Sequence, residues 1–271
     1  MRYSLIMARF SEIAIKSPPV RRRLLKILVE NIKKAFKENK IAARVYAKWE
    51  RVFVETKQIK KATQILKHIF GIVSFSPAIK VELARLEEEI AKYAKLAKNK
   101  TFAVRVKRVG KHTFTSKQME ARLGSIIAGK TKSKVDLSNP QITFFVEIRD
   151  EDAYIYFENI PGPGGMPLGS EDEVLCIIEN KKDLVACWMM MKKGCKARIY
   201  SSISIKPLNK WMYGDVKIIE KKEAEELAKY LPIISGNTLT DGFIKAESLV
   251  FYPLFALTEE EIEEIYRKIN I

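Results

Sequence analysis

The sequence has few of the residues that build metal centres and nucleophilic active sites. It contains three cysteines and two histidines among 271 residues. No two cysteines have the C-x-x-C spacing of zinc sites and redox pairs, so we expect no disulfide framework and no bound metal. The histidines, His68 and His112, leave little material for a Ser-His-Asp triad, and we assign no catalytic residue.

Long apolar segments are also scarce. The longest apolar runs, such as Leu249 to Leu257, are too short and too interrupted to span a bilayer. The N-terminus lacks the apolar core of a secretory signal. The sequence therefore predicts a cytoplasmic protein with no membrane partner.

Positive charge is abundant, and it is distributed unevenly. Residues 1–170 hold 34 Lys or Arg and 16 Asp or Glu, a net charge of +18, whereas residues 171–271 hold 15 and 17, a net charge of −2. A cationic half is typical of nucleic-acid-binding proteins, because each neutralised phosphate releases a counterion. The alternative is the Lys/Glu-rich surface of a thermophilic protein, which predicts balanced signs in both halves. We therefore favour nucleic-acid binding.

The spacing of apolar residues predicts two α+β units in the N-terminal half. The first has strands at 3–10, 43–48, 52–55 and 72–81, with helices at 21–39 and 59–69. This β-α-β-β-α-β order is the ferredoxin-like plan. The second unit has helices at 83–96 and 116–127 and strands at 101–108, 142–148 and 153–157. A capping box formed by Thr115 and Gln118 opens its second helix.

A segment rich in glycine and proline, Pro161 to Gly169, ends this half of the chain. Beyond it strands alternate with helices, which is typical of an α/β sheet of four or five strands. The strands are predicted at 174–178, 197–200, 216–219, 231–234 and 249–251, and the helices at 184–193, 222–230 and 258–270. We therefore expect an α/β protein whose N-terminal half is α+β.

Four short segments carry the motifs of the N-terminal 170 residues. They are Arg9-Phe-Ser-Glu-Ile-Ala-Ile-Lys16, Phe70-Gly-Ile-Val-Ser-Phe-Ser-Pro-Ala78, Phe102-Ala-Val-Arg-Val-Lys-Arg108 with His112 to Ser116, and Pro161-Gly-Pro-Gly-Gly165 with Pro167 and Gly169. In this order they resemble the tRNA 4-thiouridine synthetase (tRNA sulfurtransferase) family. The resemblance implies a ferredoxin-like domain over residues 1–76, an RNA-binding THUMP domain over 77–165, and a small, truncated parallel-sheet domain over 170–271. That last domain would be a PP-loop ATP-pyrophosphatase of the adenine nucleotide alpha hydrolase type. Family members use the first two domains to hold tRNA, and the THUMP domain grasps the 3′ acceptor end.

The third domain departs from the family pattern at its phosphate loop. Where the family carries S-G-G-x-D-S, this chain reads Glu179-Asn180-Lys181-Lys182-Asp183-Leu184. No glycine lets backbone N–H groups close around a pyrophosphate, and Glu179 would place a carboxylate among the phosphate oxygens. Lys182 and Asp183 would be the remnant of a nucleotide site. The family's late catalytic cysteine is also missing, since no cysteine follows Cys195. We therefore expect a degenerate domain without ATP and structural roles for all three cysteines.

The candidate RNA-binding residues form two sets. The first set, in the expected THUMP domain, comprises Arg105, Lys107, Arg108, Lys111, His112, Thr115, Ser116, Lys117, Arg122, Lys130, Lys132 and Lys134. The alternatives are a solvated strand face whose lysines protect an edge, and a plain helix cap at Thr115 and Ser116. The second set comprises Arg9, Lys16, Arg21, Arg22 and Arg23. Three arginines at a helix start oppose the helix dipole, which a phosphate would relieve. Arg9 and Lys16 either contact RNA or simply pack.

The sequence predicts a tRNA-binding protein related to tRNA thiolation enzymes. We expect it to be inactive on its own and to act as an RNA-binding adaptor or partner subunit in tRNA modification, with tRNA and a catalytic protein as partners. A homodimer is left open. One alternative is a divergent, active ATP-dependent tRNA sulfurtransferase that makes 4-thiouridine. The other is a protein-interaction scaffold with no RNA role.

Overall fold

The computed structural model describes residues 3–10 and 12–270, which form two compact units. The first unit contains residues 3–8, 42–63 and 75–160, and the second contains residues 9–41 (residue 11 excepted), 64–74 and 161–270. The chain therefore passes between the units several times. The three-domain boundaries stated above are drawn from sequence motifs and stay a prediction.

The elements up to residue 82 follow the order expected of a ferredoxin-like domain. They are β1 (Leu5–Arg9), α1 (Pro18–Glu38), β2 (Arg44–Lys48), β3 (Arg51–Glu55), α2 (Ile59–Leu66) and β4 (Ser74–Glu82). Helix α1 starts at a proline, whose fixed φ suits the first helical turn. Ser17 occupies the cap position of α1 without a side-chain hydrogen bond. Trp49 and Glu50 have φ values of 50° and 58°, as the tight turn between two antiparallel strands requires.

The elements between residues 83 and 161 complete the α+β half. They are a short 3-10 helix (Leu83–Arg85), α3 (Leu86–Tyr93), a second 3-10 helix (Ala94–Ala97), β5 (Phe102–Val109), α4 (Ser116–Thr131), β6 (Ile142–Arg149), β7 (Asp152–Tyr156) and β8 (Ile160–Pro161). The predicted capping box is present at the start of α4. Helix α4 ends four residues later than predicted, at Thr131.

The strands of this half form one sheet in the order β2-β3-β1-β4-β7-β6-β5, and β8 pairs with β4. Strand β5 pairs in parallel with β6 and lies at the end of the sheet. Its alternating side chains put Phe102 and Val104 into a core with Leu86, Ile90 and Leu123 from the helices. The other face of β5 carries Arg105 and Lys107.

A buried group of charged residues lies on the face of this sheet that also carries Arg105 and Lys107. Glu147 is 2% exposed and accepts hydrogen bonds from Arg51 Nη2 at 3.2 Å and Arg149 Nη2 at 2.8 Å. Arg149 also donates to the carbonyl of Trp49 at 2.6 Å. These bonds join β6 to the turn between β2 and β3 inside the first unit.

The elements after the glycine- and proline-rich segment form a parallel α/β sheet. They are β9 (Glu171–Ile178), α5 (Lys181–Lys193), β10 (Cys195–Ser201), a 3-10 helix (Lys206–Trp211), β11 (Val216–Ile218), α6 (Lys221–Leu227), β12 (Ile233–Ile234), β13 (Val250–Phe251) and α7 (Glu259–Asn270). The strand order is β11-β10-β9-β12-β13, and every pair is parallel. Helix α5 begins three residues before the predicted start at Leu184, because Asn180 caps it.

Helix α1 belongs to this second unit. The Asn31 side chain is buried and donates to the carbonyl of Leu168 at 2.9 Å, and Lys34 donates to the carbonyl of Gly214 at 2.9 Å. Phe70 stacks on Trp211 with ring centroids 5.2 Å apart. The elements of the ferredoxin-like order are therefore shared between two compact units.

Two structural absences concern the described residues. Within residues 3–10 and 12–270, no helix is long and apolar enough to cross a bilayer. The same residues bring no three His, Cys, Asp or Glu side chains together in a way that could hold a metal ion.

Candidate nucleic-acid interface

The free edge of β5 is partly covered by its own neighbours. The backbone N–H of Val106 donates to Glu120 Oε1 of α4 at 2.8 Å. The guanidinium of Arg105 donates to the carbonyl of Leu137. The strand edge is thereby closed to further pairing at these points, while Lys107 remains exposed.

A groove of about 640 Å³ lies between β5, α4 and residues 135–137, and we call it the β5 groove. Its lining is mostly apolar and small, and its charged residues are Arg105, Lys117 and Glu120. Val135 and Leu137 on its wall are 53% and 59% exposed. The full lining is Phe102, Val104, Arg105, Lys117, Glu120, Ala121, Gly124, Ser125, Ala128, Val135 and Leu137. An apolar floor with cations beside it suits a ligand that has both flat apolar groups and negative charge.

A second depression, of about 360 Å³, carries three lysines, and we call it the lysine cleft. Lys100, Lys132 and Lys134 line it together with neutral residues, and no carboxylate takes part. The neutral residues are Asn99, Thr101, Thr131, Ser133 and Gln141. None of the three lysines forms an ion pair within the described part of the chain. Lys130 is exposed on the last turn of α4.

The loop after β5 holds a further group of cations. Lys111 is exposed in this loop, and Arg108, next to the last residue of β5, is partly buried. A ring nitrogen of His112, Nε2, lies 2.9 Å from the carbonyl oxygen of Asp150. The His112 ring also packs against Phe114, with centroids 5.3 Å apart. These contacts fix the loop that carries the cations at the carboxyl end of β5.

Helix α4 and its cap contain three more candidate residues, Thr115, Ser116 and Arg122. Thr115 Oγ1 accepts a hydrogen bond from the Gln118 N–H at 3.2 Å, and Gln118 Oε1 accepts one from the Thr115 N–H at 2.7 Å. The helix-cap interpretation of Thr115 is therefore confirmed. Ser116 is half-buried on the first turn. Arg122 forms an ion pair with Glu87 of α3, so its charge is already neutralised in part.

The second candidate set lies in the second unit. Arg9 ends β1 and is half-buried, whereas Lys16 and Arg22 are exposed. Arg21 Nη2 donates to the carbonyl of Lys16 at 3.2 Å, and Arg23 Nη1 donates to the carbonyl of Ser170 at 3.3 Å. All three arginines lie in the first two turns of α1, where the dipole favours an anion.

The N-terminus of α5 is occupied by the side chains of this chain. Asn180 Oδ1 accepts from the N–H groups of Lys182 at 2.8 Å and Asp183 at 3.1 Å. Asp183 Oδ2 accepts from the N–H groups of Glu179 and Asn180, both at 3.2 Å. Asp183 Oδ1 accepts from the N–H of Gly236 at 3.0 Å. The backbone N–H groups of residues 179, 180, 182 and 183 therefore already have acceptors.

Gly236 also covers this helix end sterically. A Cβ at Gly236 would lie 2.4 Å from the backbone nitrogen of Asp183, so only glycine allows this approach. The carboxylate expected at this position from Glu179 comes instead from Asp183, because the Glu179 side chain is exposed and only its N–H takes part.

Lysines beside α5 are paired with carboxylates. Lys182 Nζ lies 3.0 Å from Asp241 Oδ2 and 2.6 Å from Glu259 Oε1, and these hydrogen bonds raise the pKa of Lys182. Hydrogen bonds from Thr238, followed by the contact with Lys182, lower the pKa of Asp241 to about 2. Lys181 pairs with Glu263. These cations therefore already have anionic partners.

The three cysteines are buried and free. A hydrogen bond with Cys187 and then burial raise the pKa of Cys176 well above its usual value. Burial raises the pKa of Cys195 to about 11. Because the thiolate is the reactive form, these environments oppose a nucleophilic role.

Comparison with known proteins gives the family. The ThiI ferredoxin-like domain matches residues 5–76, and the THUMP domain matches residues 81–158. A protein of Saccharolobus solfataricus named "Probable tRNA sulfurtransferase" is 30% identical over an alignment 320 positions long. The alignment covers 96% of this chain and 84% of that protein. The chain belongs to the tRNA sulfurtransferase family.

Two further tRNA sulfurtransferases match a shorter part. The "Probable tRNA sulfurtransferase" of Methanothermobacter thermautotrophicus is 40% identical over 204 residues, covering 72% of this chain and 51% of that protein. The relative from Methanobrevibacter smithii is 37% identical over 206 residues, covering 72% of this chain and 53% of that protein. The chain thus spans about half the length of these two relatives.

Solved structures share the fold of this tRNA sulfurtransferase family member. PH1313 from Pyrococcus horikoshii superposes with a TM-score of 0.83 at 26% identity, covering 99% of this chain and 100% of that chain. A 4-thiouridine synthetase, crystallised with RNA and ATP, superposes with a TM-score of 0.78 at 20% identity, covering 98% and 85%. The predicted mixed α/β fold, with ferredoxin-like and THUMP domains and a PP-loop-like sheet, is confirmed.

Sequence reasoning missed several residues that shape these surfaces. Lys100 joins the lysine cleft, and Glu120 closes the edge of β5. Val135 and Leu137 form the exposed wall of the β5 groove. Three lysines at every second position from 130 to 134, followed by Val135 and Leu137, are a local signal for a surface of this kind, but the partners across the groove are remote in sequence.

Proposed function

We propose that this chain binds tRNA through the cations of its first unit and does not turn over ATP by itself. It would then serve as an RNA-binding adaptor or partner subunit in tRNA modification. The family supports the choice of tRNA, since its relatives are named tRNA sulfurtransferases and one fold neighbour was crystallised with RNA.

The arrangement of cations supports recognition by backbone and shape. Lys107 and Lys111 are exposed at one end of β5, and the lysine cleft lies near its other end. Lysines and arginines placed in this way contact phosphates and fix the position of the RNA, but they read no base sequence. The β5 groove between them offers an apolar surface for unstacked bases.

The hydrogen bonds at the α5 N-terminus support the second part of the proposal, that the chain does not turn over ATP by itself. A helix N-terminus binds phosphate through free backbone N–H groups. Here the donors of residues 179, 180, 182 and 183 are accepted by Asn180 and Asp183, and Gly236 closes over them. A nucleotide would have to displace a carboxylate as well as these bonds, which disfavours binding of its phosphates.

The test of RNA binding replaces Arg105, Lys107 and Arg108 together by alanine. We expect weaker tRNA binding and a flatter dependence of affinity on salt, because each lost phosphate contact removes about one unit of the salt slope. The matched control replaces Lys221, Lys222 and Lys229 near α6 and should leave both quantities unchanged. Equal effects of the two variants would contradict a specific RNA surface.

A divergent, active sulfurtransferase is the competing function, and the names of the relatives favour it. Its test is conversion of ATP to AMP in the presence of tRNA and a sulfur source, with the wild type compared against single Ala variants of Cys176, Cys187 and Cys195. Turnover that depends on one of these thiols would establish the enzyme and overturn the adaptor. No turnover, together with retained tRNA binding, would support the adaptor.

A further inference from the structure

The lysine cleft carries three positive charges that the helix ends beside it do not require. The second 3-10 helix ends at Ala97 and α4 ends at Thr131, and lysines near a helix C-terminus stabilise the helix dipole. Other groups already donate to carbonyls at both ends. The carbonyl of Ala97 accepts from Ser133 Oγ at 2.6 Å, and the carbonyl of Ala128 accepts from the N–H of Lys132 at 2.8 Å. These carbonyls therefore need no lysine side chain.

Lys134 lies beyond the end of α4, on a segment that pairs with the start of β5. The N–H of Phe102 donates to the carbonyl of Lys134 at 3.1 Å, and the N–H of Asp136 donates to the carbonyl of Phe102 at 2.9 Å. The acidic residue nearest to Lys134 in the sequence is Asp136. Its Oδ1 accepts from the N–H groups of Ser138 at 3.0 Å and Asn139 at 2.9 Å, so it stabilises its own turn. The exposed ammonium group of Lys134 is therefore available to an external anion.

Neutral groups of the lysine cleft add hydrogen-bond donors. The N–H of Thr101 donates to Gln141 Oε1 at 2.9 Å, and the N–H of Gln141 donates to Thr101 Oγ1 at 3.2 Å. This reciprocal pair fixes the side-chain amide of Gln141 with its oxygen toward the backbone. Among the described residues its NH2 group has no acceptor. Ammonium groups together with an amide donor, and without a carboxylate in the lining, suit an anion that has several unshared oxygens.

The amount of charge separates two kinds of RNA phosphate. An internal phosphate is a diester with one negative charge, whereas a terminal monoester carries about −1.5 to −2 near pH 7 and has three terminal oxygens. Three lysines without a carboxylate therefore fit the terminal group better than a single diester. In the β5 groove, by contrast, Glu120 offsets part of the charge of Arg105 and Lys117, and the lining is mostly apolar. The β5 groove therefore suits bases, and the lysine cleft suits a terminal phosphate.

The lysine cleft and the β5 groove meet at the amino end of β5. Thr101 of the cleft directly precedes Phe102 of the groove, and Lys134 of the cleft directly precedes Val135 of the groove. In a tRNA the 5′ phosphate ends the base-paired stem beside the unpaired bases of the 3′ tail, so one ligand presents both groups side by side. We propose that the lysine cleft binds the 5′-terminal monophosphate of tRNA. This inference rests on the proposed function. It narrows the ligand to tRNA whose 5′ extension has been removed by a hydrolysis that leaves a monophosphate.

The experiment measures the affinity of the full chain for three forms of one tRNA, by fluorescence anisotropy at constant low salt. The forms end in a 5′ monophosphate, in a 5′ hydroxyl, or in a 5′ extension of several nucleotides. Removal of the phosphate should weaken binding about tenfold, as expected when hydrogen bonds to a charged group are lost. The extended form should also bind more weakly than the monophosphate form, because its phosphate at this position is a diester.

Variants assign the effect to the lysine cleft. With Lys100, Lys132 and Lys134 replaced together by alanine, the monophosphate and hydroxyl forms should bind with equal affinity. Lys134→Ala alone changes one exposed side chain and should reduce the difference without abolishing it. An unchanged melting temperature of both variants shows that the fold is kept. The control variant with three alanines near α6 should keep the full difference. A cleft variant that also keeps it would place the phosphate elsewhere and overturn the assignment.

The outcomes separate this inference from the proposed function. Equal affinity of the wild type for the monophosphate and hydroxyl forms would overturn recognition of the terminal phosphate, while tRNA binding would stand. Equal or tighter binding of the extended form would show that the cleft accepts a diester, which also overturns the inference. If the wild type binds none of the three forms, the proposed function fails, and this inference fails with it.

Discussion

The lysine cleft in the first unit and the lysines beside α5 in the second unit use positive charge in opposite ways. In the first unit, the three lysines of the lysine cleft have no carboxylate partner in the described chain. In the second unit, Lys181 and Lys182 beside α5 are paired with Glu263, Asp241 and Glu259. The same residue type is thus available to an external anion in one place and already neutralised in the other. The number of lysines alone therefore does not locate a binding surface; their partners do.

The largest expected effect on stability comes from removing a carboxylate that pairs with buried charge. Glu147→Ala would leave Arg51 and Arg149, which are 8% and 2% exposed, without their shared carboxylate. We expect a loss of about 3–5 kcal/mol in the free energy of unfolding, because two buried guanidinium groups lose the carboxylate that balances their charge. Urea unfolding measures it. Glu225→Ala, which breaks an exposed pair on α6, is the control and should cost under ~1 kcal/mol. Similar losses would refute the distinction.

Removing the unpaired lysines should change binding more than stability. We expect Lys100, Lys132 and Lys134 replaced together by alanine to weaken tRNA binding about tenfold or more at low salt and to reduce the salt slope by about three. Filter binding or fluorescence anisotropy over a salt series gives both values. The variant Lys221, Lys222 and Lys229→Ala carries the same change of charge in the second unit. If it lost as much affinity, the lysine cleft would have no special role.

Asp183→Ala tests the closed helix end. The carboxylate caps three backbone N–H groups, so its loss should lower the free energy of unfolding by about 1–2 kcal/mol. We expect no gain of ATP binding, since Gly236 still covers the helix end and no glycine opens the loop. Thermal unfolding with and without ATP gives both results. A clear rise of the melting temperature in ATP would show that the carboxylate alone excludes the nucleotide.

The smallest expected effect concerns a tyrosine. Tyr46 donates to Glu55 at 2.7 Å, and burial followed by this hydrogen bond raises the pKa of Tyr46 from 10.0 to about 12. Since the folded state holds the proton more tightly, its contribution to stability is complete below pH 10 and declines as the pH rises through 12. Absorbance titration of the wild type and of Tyr46→Phe gives the difference: the variant should lose one ionisation near pH 12 and keep the late ionisation of Tyr154, whose pKa burial also raises. Loss of an ionisation near pH 10 in the variant would argue against it.

Local patterns gave much of the fold. The alternation of Phe102 and Val104 with Arg105 and Lys107 predicts β5 and the face that it buries, and the structure agrees. The predicted capping box at Thr115 is present, and Thr258 and Glu261 form a second one at the start of α7. These features depend on residues within one turn or one strand. Their apolar periodicity and their hydrogen-bonding side chains can be read directly from the sequence.

The surfaces depend on contacts that are remote in sequence. Lys100 and Lys132 line the same cleft although they are 32 positions apart in the sequence. Gly236 donates a hydrogen bond to Asp183, which is 53 positions away. The apolar stripe of α1 predicts that the helix is packed, but it does not name the partner, which lies in the second unit. Periodicity tells which side of an element is covered; it does not tell what covers it.

That packing of α1 gives a reason why the chain needs its C-terminal parallel sheet. Without the parallel sheet and the segment before it, Asn31 would lose the carbonyl that it meets, and the aromatic neighbours of Phe70 would be gone. A gene shortened at the glycine- and proline-rich segment would therefore encode an incomplete fold. A domain that supplies the packing partners of its neighbour is needed for the fold whatever chemistry it performs.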